Sequence, residues 1–394
     1  MTTTSSLSPE LRLVFRSADP RAPGDEILAT VAAVREWDRV LFVADREVAA
    51  ASLWRTLKSA GAELPPLVGD ALRKRAMISD LAMQQLSRRA QETIRLFGER
   101  GIPVLLLKGA AVGALTDPTF RARPMTDLDL LVHRGDVPPA RAAVILAGWP
   151  ETTDPVLLEL LQDAHHLPHF VDPQMPGMRL ELHVMLMPED QPFAFGESDL
   201  WREARPAPAP FAGASVPSAE HVVLHACVHY AWQHTMQFGA WRSFRSIAAV
   251  TSAPGFDWEL LVREAKATRA ATACYWTLRL ADRLAGVRVP DSALAELAPP
   301  TAKWLRDAIE RHFVALLDPG EGPASPSQQL TRWLWRAALR PQWSGHRSPG
   351  RLDPEQRWAR ARGTLSTEST AARAWRHARS YRDWWRFVVG TLLP

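Results

Sequence analysis

The strongest constraint in this chain is a seven-residue run, TDLDLLV (126–132), in which acidic and apolar residues alternate with a period of two. Successive side chains of a β-strand point to opposite faces, so Asp127, Asp129 and Leu131 share one face and Leu128, Leu130 and Val132 the other. The apolar face demands a core. The acidic face holds two carboxylates roughly 6–7 Å apart along the strand, and no basic residue lies between or beside them on it. Two like charges so held repel, and a divalent cation is the usual compensation. Taken alone, D-x-D is also the pattern of an exposed edge strand with solvated acids. Its neighbours in sequence decide between the two.

Upstream, IPVLLL (102–107) is a short, wholly apolar run closed by Lys108-Gly109, the signature of a buried strand. AAVGAL then begins a short helix, broken by Asp117-Pro118, and TFRARPM is a loop. Downstream, a helix over about 138–147 is expected to stop at Gly148. After a Pro-rich stretch, MRLELHVML (178–186) alternates again, with Leu180, Leu182, Val184 and Leu186 against Glu181, His183 and Met185. The flanks carry helical periodicity. Residues 26–60 repeat apolar side chains at Ile27, Val31, Val34 and Trp37, and a second helix over about 70–99 ends before Gly101, a candidate left-handed cap. From Ser218 the pattern is helical almost to the end, with Pro-rich linkers near 202–217, 318–326 and 341–354. The fold class expected is therefore α+β, a small mixed β-sheet core with helical N-terminal and C-terminal additions. The expected division is a helical region over 1–100, an α/β core over 101–200, a helical domain over 218–320 and a basic Trp/Arg-rich arm over 321–394.

The order strand, Lys108-Gly109 turn, D-x-D strand and later strand with an isolated Glu resembles the polymerase-β-like nucleotidyltransferase superfamily. More narrowly, LLLKGAAV, FRARPMTDLDLLV and LELHVML are similar to the motifs of a bacterial family of uncharacterised nucleotidyltransferases, over about residues 75–241. The resemblance implies a nucleotidyltransferase core that moves an NMP group from an NTP to an acceptor with Mg2+ or Mn2+. It implies that Asp127 and Asp129 bridge the metals, and that Glu181 completes the metal site and helps deprotonate the acceptor hydroxyl. Gly109 would let the backbone approach the nucleotide phosphates, and Lys108 and Arg123 would neutralise them. From the residues alone, Lys108 also reads as a solvated strand end, and Arg121 could serve as well as Arg123. One departure is Ala110, where the superfamily usually carries a second Gly or a small polar residue. No hydroxyl is available there, which leaves backbone amides to hold a phosphate. Two alternative functions stay open: a catalytically inactive relative acting as a binding or accessory protein, and a toxin-like enzyme that modifies tRNA ends.

Histidine is clustered at His165, His166, His169 and His183, then at His221, His225, His229 and His234. HVVLHACVH places His221, His225 and His229 on one helical face. The residue after His221 is Val222, where a zinc protease helix needs Glu. These histidines read as packing against the core or lining its cleft. His183, on the strand face of Glu181, reads as an orienting partner for a carboxylate and a nucleotide-site residue.

Composition excludes other classes. The net charge of +4 does not announce a nucleic-acid binder, but it is unevenly spread: 321–394 holds 13 Arg and 5 acids, and the first 320 residues carry a net −4. In that segment Trp375, Ala378, Tyr381, Trp385 and Val388 share a helical face beside Arg376, Arg379, Arg382 and Arg386. Such a helix docks on its own domain, or contacts RNA or an anionic membrane surface. Cys227 and Cys274 form no zinc or disulfide pattern. No Walker, Rossmann or nucleophile-elbow motif occurs. The N-terminus lacks the pattern of a signal peptide and no apolar run is long enough to span a bilayer, so a cytoplasmic protein is expected.

Overall fold

The computed structural model describes residues 7–318 except 122, 151–164, 174, 176 and 188–190, together with 331–339 except 333 and 337. Helices α1 (Pro9–Arg16), α2 (Gly24–Ala33), α3 (Trp37–Arg46), α4 (Ala50–Ser59) and α5 (Pro66–Glu99) lead to the first strand. The stretch expected as one helical run over 26–60 is thus three short helices. Val34 turns to extended backbone (ψ 132°), and Val48 adopts φ 59°, a left-handed conformation that no helix continues through. The second expected helix forms as α5, whose 34 residues begin with Pro at the first position. It ends before Gly101 at φ 63°, as its cap requires.

Strand β1 (Leu105–Leu106) is followed by α6 (Lys108–Thr116), β2 (Asp127–Leu131) and α7 (Val137–Leu146). Gly148 closes α7 at φ 80°. Then come β3 (Phe170–Val171), β4 (Arg179–His183), α8 (Glu197–Glu203), β5 (Arg205–Pro206) and β6 (Ser215–Val216). Among the described residues these strands form one mixed sheet in the order β3-β4-β2-β1-β6-β5. Only two residues of the apolar run 102–107 pair in a regular ladder, although Val104, Leu105, Leu106 and Leu107 are all buried. Part of the segment expected as a linker over 202–217 pairs into the sheet as β5 and β6, because β6 finds a free edge: Ser215 N–H donates to Val104 O at 2.8 Å.

One register positions the site. β2 runs parallel to β4 with Asp129 opposite Glu181 and Leu131 opposite His183. In-register neighbours share a face, so period-two alternation brings acids from both strands to one side. On the other side Leu128, Leu130, Leu180 and Leu182 are fully buried.

The remaining chain supplies α9 (Ala219–Val228), a π-helical turn (His229–Gln233), α10 (Ala240–Thr251), α11 (Trp258–Ala267), α12 (Ala271–Leu280), a second π turn (Ala281–Ala285), α13 (Asp291–Leu297) and α14 (Lys303–Leu317). α9 and α10 pack on α6 and so roof the acidic face of the sheet. Buried Glu47 accepts the Trp241 N–H at the start of α10 (3.1 Å), which ties the roof to the N-terminal helices. Of the expected basic arm, the described residues 331–339 dock on this helical layer. There Trp335 is buried, donates to Ala231 O (2.6 Å) and packs edge-on against Phe313. The Trp/Arg face from Trp375 to Val388 and the linker near 341–354 lie outside the described residues. No described helix is long and apolar enough to cross a membrane.

Candidate functional site

Between the acidic face of the sheet and the roof of α9 and α10 lies a cavity of about 260 Å³. Its floor holds Lys108, Asp127, Asp129 and Glu181, and its roof holds Arg242 with several histidines. The volume is slightly under the range of pockets that enclose a whole drug-sized ligand. It suits a polyphosphate with the rest of the ligand reaching outward.

The carboxylates are not alone, as they are on their strand. Lys108, the first residue of α6 just after β1, places Nζ 2.7 Å from Asp129 Oδ1 and 3.5 Å from Glu181 Oε2. β1 lies beside β2 in the sheet, and that pairing is what the D-x-D strand alone does not disclose. His183 Nε2 lies 2.9 Å from Asp129 Oδ1 and 3.5 Å from Glu181 Oε2, in keeping with the orienting contact read from its shared strand face. Donor atoms of Asp129, Glu181 and His183 all fall within 4.8 Å of one another, a group able to hold a metal ion. Asp127 lies on the same floor outside that tight group.

The turn after β1 differs in detail from the expectation. The left-handed residue is Lys108 (φ 43°), an uncommon conformation for a side chain with a Cβ. Gly109 is instead the second residue of α6, and it is the Arg123 and Met125 side chains that fill the space beside it. A Cβ there would meet Arg123 Nη1 and Met125 Sδ, each at 2.4 Å. No side chain caps the first turn of α6, and Ala110 is buried, so its leading amides are the polar groups that turn offers an anion.

Arg123, rather than the more exposed Arg121, lines the cavity. Its Nε donates to Ser246 Oγ on α10 at 2.7 Å, whereas Arg121 pairs with Asp80 at 2.6 Å. Arg242, which no local motif in the sequence marks, enters from α10. Among the described residues neither Arg123 nor Arg242 forms an ion pair with a carboxylate. Burial, and then the charge of Arg242, push Arg123 down to about 10. Two guanidiniums close enough to oppose each other are the electrostatic mirror image of the paired carboxylates, and an anion would relieve them.

Charge is distributed unevenly over the floor. Burial opposes ionisation of Asp129, but Lys108 and the His183 hydrogen bond outweigh it and hold the carboxyl below its usual range. Glu181, only partly buried, is driven far below that range by His183, Lys108 and His166. Asp127 goes the other way, raised by burial and by the charge of Asp129, with Lys108 only partly compensating. Burial and Lys108 act to lower His183, but its bonds to Asp129 and Glu181 prevail and raise it.

The histidine helix is only partly as expected. His225 and His229 line the cavity with His234. His221 instead sits at the start of α9, with Nδ1 3.0 Å from Ser218 Oγ and 3.5 Å from Glu203 Oε2. Four residues advance an α-helix by about 400°, so each step drifts about 40° and His221 sits about 80° round the helix from His229. Burial, helped by Lys108, lowers His225 to about 3, and burial with Arg242 lowers His234 to about 3. The roof imidazoles are therefore polar and uncharged at neutral pH, and His225 Nε2 and His234 Nδ1 are buried with no hydrogen-bond partner among the described residues. His165 and His166 also line the cavity, beside β4.

A carboxylate-bearing sheet under a basic and histidine-rich roof agrees with the comparison to known families, where a model described as an uncharacterised nucleotidyltransferase matches residues 33–286. No curated protein and no solved structure matches the chain. With well over half of its length matched, from α2 to the second π turn, the chain belongs to the uncharacterised nucleotidyltransferase family.

Proposed function

We propose that the protein is an enzyme that transfers an NMP group from an NTP to an acceptor, assisted by Mg2+ or Mn2+. The observation that carries this reading is the β2–β4 register. It brings Asp129 and Glu181 side by side and Asp127 onto the same floor, opposite two guanidiniums that form no ion pair with a carboxylate among the described residues. Acids for a cation and cations for a polyphosphate face each other across one cavity, which is what transfer from a nucleoside triphosphate needs.

In this reading Asp127, Asp129 and Glu181 hold the metal. The donor set fits it, since hard divalent cations favour carboxylate oxygens. When bound, the metal would polarise the α-phosphate and stabilise the charge that develops there. The chain's own residues do the rest. Arg123 and Arg242 orient the polyphosphate and balance its charge, with the uncapped amides of α6 as further donors. His183 fixes Asp129 and Glu181 in place through Nε2. While His183 and Lys108 contact it, Glu181 is a weak proton acceptor, because its pKa is held far down. The roof, with its neutral imidazoles and with ring nitrogens of His225 and His234 that have no partner among the described residues, suits hydrogen bonding to uncharged parts of the ligands.

The test is to incubate the protein with α-labelled NTPs, Mn2+ and cell lysate, beside the double variant Asp127→Asn, Asp129→Asn. An acceptor labelled by the wild type and not by the variant supports the reading. Equal labelling by both would falsify it.

A further inference from the structure

Asp129 Oδ1 and Glu181 Oε2 are the two oxygens best placed to share one cation, because their residues are direct neighbours across β2 and β4. Both oxygens are already in contact with the Lys108 ammonium, at 2.7 and 3.5 Å. Magnesium binds carboxylate oxygen at about 2.0–2.1 Å. An ion on Asp129 Oδ1 would then lie at most about 4.8 Å from an ammonium that is 2.7 Å from the same atom. The Lys108 and Asp129 side chains are only 17% and 1% exposed, so water screens little of the resulting repulsion. The two cations are rivals for one place.

We propose that Lys108 is a built-in counter-ion of the site, which a divalent cation displaces from Asp129 and Glu181, releasing the ammonium towards the phosphate side of the cavity. The backbone is arranged for such a role. Lys108 is held at φ 43°, a conformation that costs free energy for a residue with a Cβ and persists only where the surroundings impose it. It also stands at the first turn of α6, within the same cavity as Arg123 and Arg242. One side chain thereby serves two states. It neutralises the acids before a cation arrives and joins the guanidiniums afterwards. Cation and nucleotide would bind cooperatively, each favouring the position of Lys108 that the other needs.

The inference rests on Asp129 and Glu181 being cation ligands, and its test separates the two claims. Mn2+ is titrated into nucleotide-free wild type and Lys108→Met, with free Mn2+ read by electron paramagnetic resonance. The proposal predicts that the variant binds Mn2+ more tightly by about tenfold or more, since a positive charge has left the ligand oxygens. Equal or weaker binding by the variant overturns the counter-ion role and leaves the metal site standing. No Mn2+ binding by either protein overturns both. A second measurement needs no variant. The chain has five lysines, Lys58, Lys74, Lys108, Lys266 and Lys303, whose acylation can be followed by mass spectrometry. Displacement predicts that Mn2+ speeds acylation of Lys108 and leaves the others unchanged. A Lys108 rate that falls or stays constant with Mn2+ overturns the proposal.

Discussion

Replacing Gly109 by alanine should weaken nucleotide binding and cost the fold a comparable, modest amount of stability. The new Cβ would stand 2.4 Å from Arg123 Nη1 and from Met125 Sδ, so the guanidinium must retreat by about 1 Å to reach ordinary contact. That retreat strains the 2.7 Å bond from Arg123 Nε to Ser246 Oγ, and a lost hydrogen bond from a charged group costs about 1.5–3 kcal/mol. Alanine in place of glycine returns about 1 kcal/mol of helix propensity, which leaves a net destabilisation of about 0.5–2 kcal/mol. If Arg123 holds the polyphosphate, loss of its position weakens binding by about 10–100-fold. Denaturant unfolding measures the first quantity, and calorimetric titration with an α,β-methylene NTP and Mg2+ the second. Gly113→Ala is the control. Its Cβ would stand 2.3 Å from the ring of buried Phe120, which stacks on Phe211 with centroids 5.1 Å apart. Overpacking there should cost about 1–3 kcal/mol with nucleotide affinity intact. Wild-type affinity in Gly109→Ala, or equal losses of affinity in both variants, would refute the reasoning.

Arg242→Ala should weaken the same titration by about 10–100-fold and shift stability by less than about 1 kcal/mol, because this guanidinium makes no ion pair among the described residues. A large loss of stability would mean that its role is structural. Burial, only partly opposed by the Trp241 N–H and Arg46, holds the Glu47 carboxyl above its ordinary value of 4.5. The folded state therefore binds the proton more tightly, and that contribution to stability is full below the ordinary value and is lost as pH rises through the folded one. Urea unfolding between pH 4 and 8 should accordingly show Glu47→Gln gaining on the wild type as pH rises, and a constant difference would contradict this. Glu310 is fully buried and paired with Arg279 and Arg283. Glu310→Ala should cost about 3 kcal/mol without changing nucleotide affinity, as unfolding and calorimetry together would show.

The sheet was legible in the sequence from its period-two runs, although the alternation through Val184 and Leu186 outruns β4, which ends at His183. Asp127 to Leu131 and Arg179 to His183 both form strands, with leucines inward and with Glu181 and His183 on the acidic side. The glycine caps at 101 and 148 were legible too, because a left-handed residue after a helix has few alternatives to glycine. What sequence could not convey was adjacency across strands and layers. Lys108 lies far from Asp129 along the chain, and only the pairing of β1 with β2 brings its ammonium to the carboxylate. Arg242 carries no local signature, and its place depends on how α10 roofs the sheet. The common face for His221, His225 and His229 ignored the drift of a four-residue repeat against about 3.6 residues per turn, and only His225 and His229 reach the cavity. The continuous helical pattern over 26–60 failed for a different reason. Apolar spacing records which residues face the core, not whether the backbone between them turns at Val34 and Val48.

The most direct test of nucleotidyl transfer uses one NTP labelled in parallel at its α- and its γ-phosphate, with wild-type protein, Mn2+ and lysate. The account predicts that the acceptor gains the α label and never the γ label, that pyrophosphate is released in equal amount, and that Asp127→Asn, Asp129→Asn abolishes both signals. Transfer of the γ label instead, or α labelling that persists in the double variant, would contradict it.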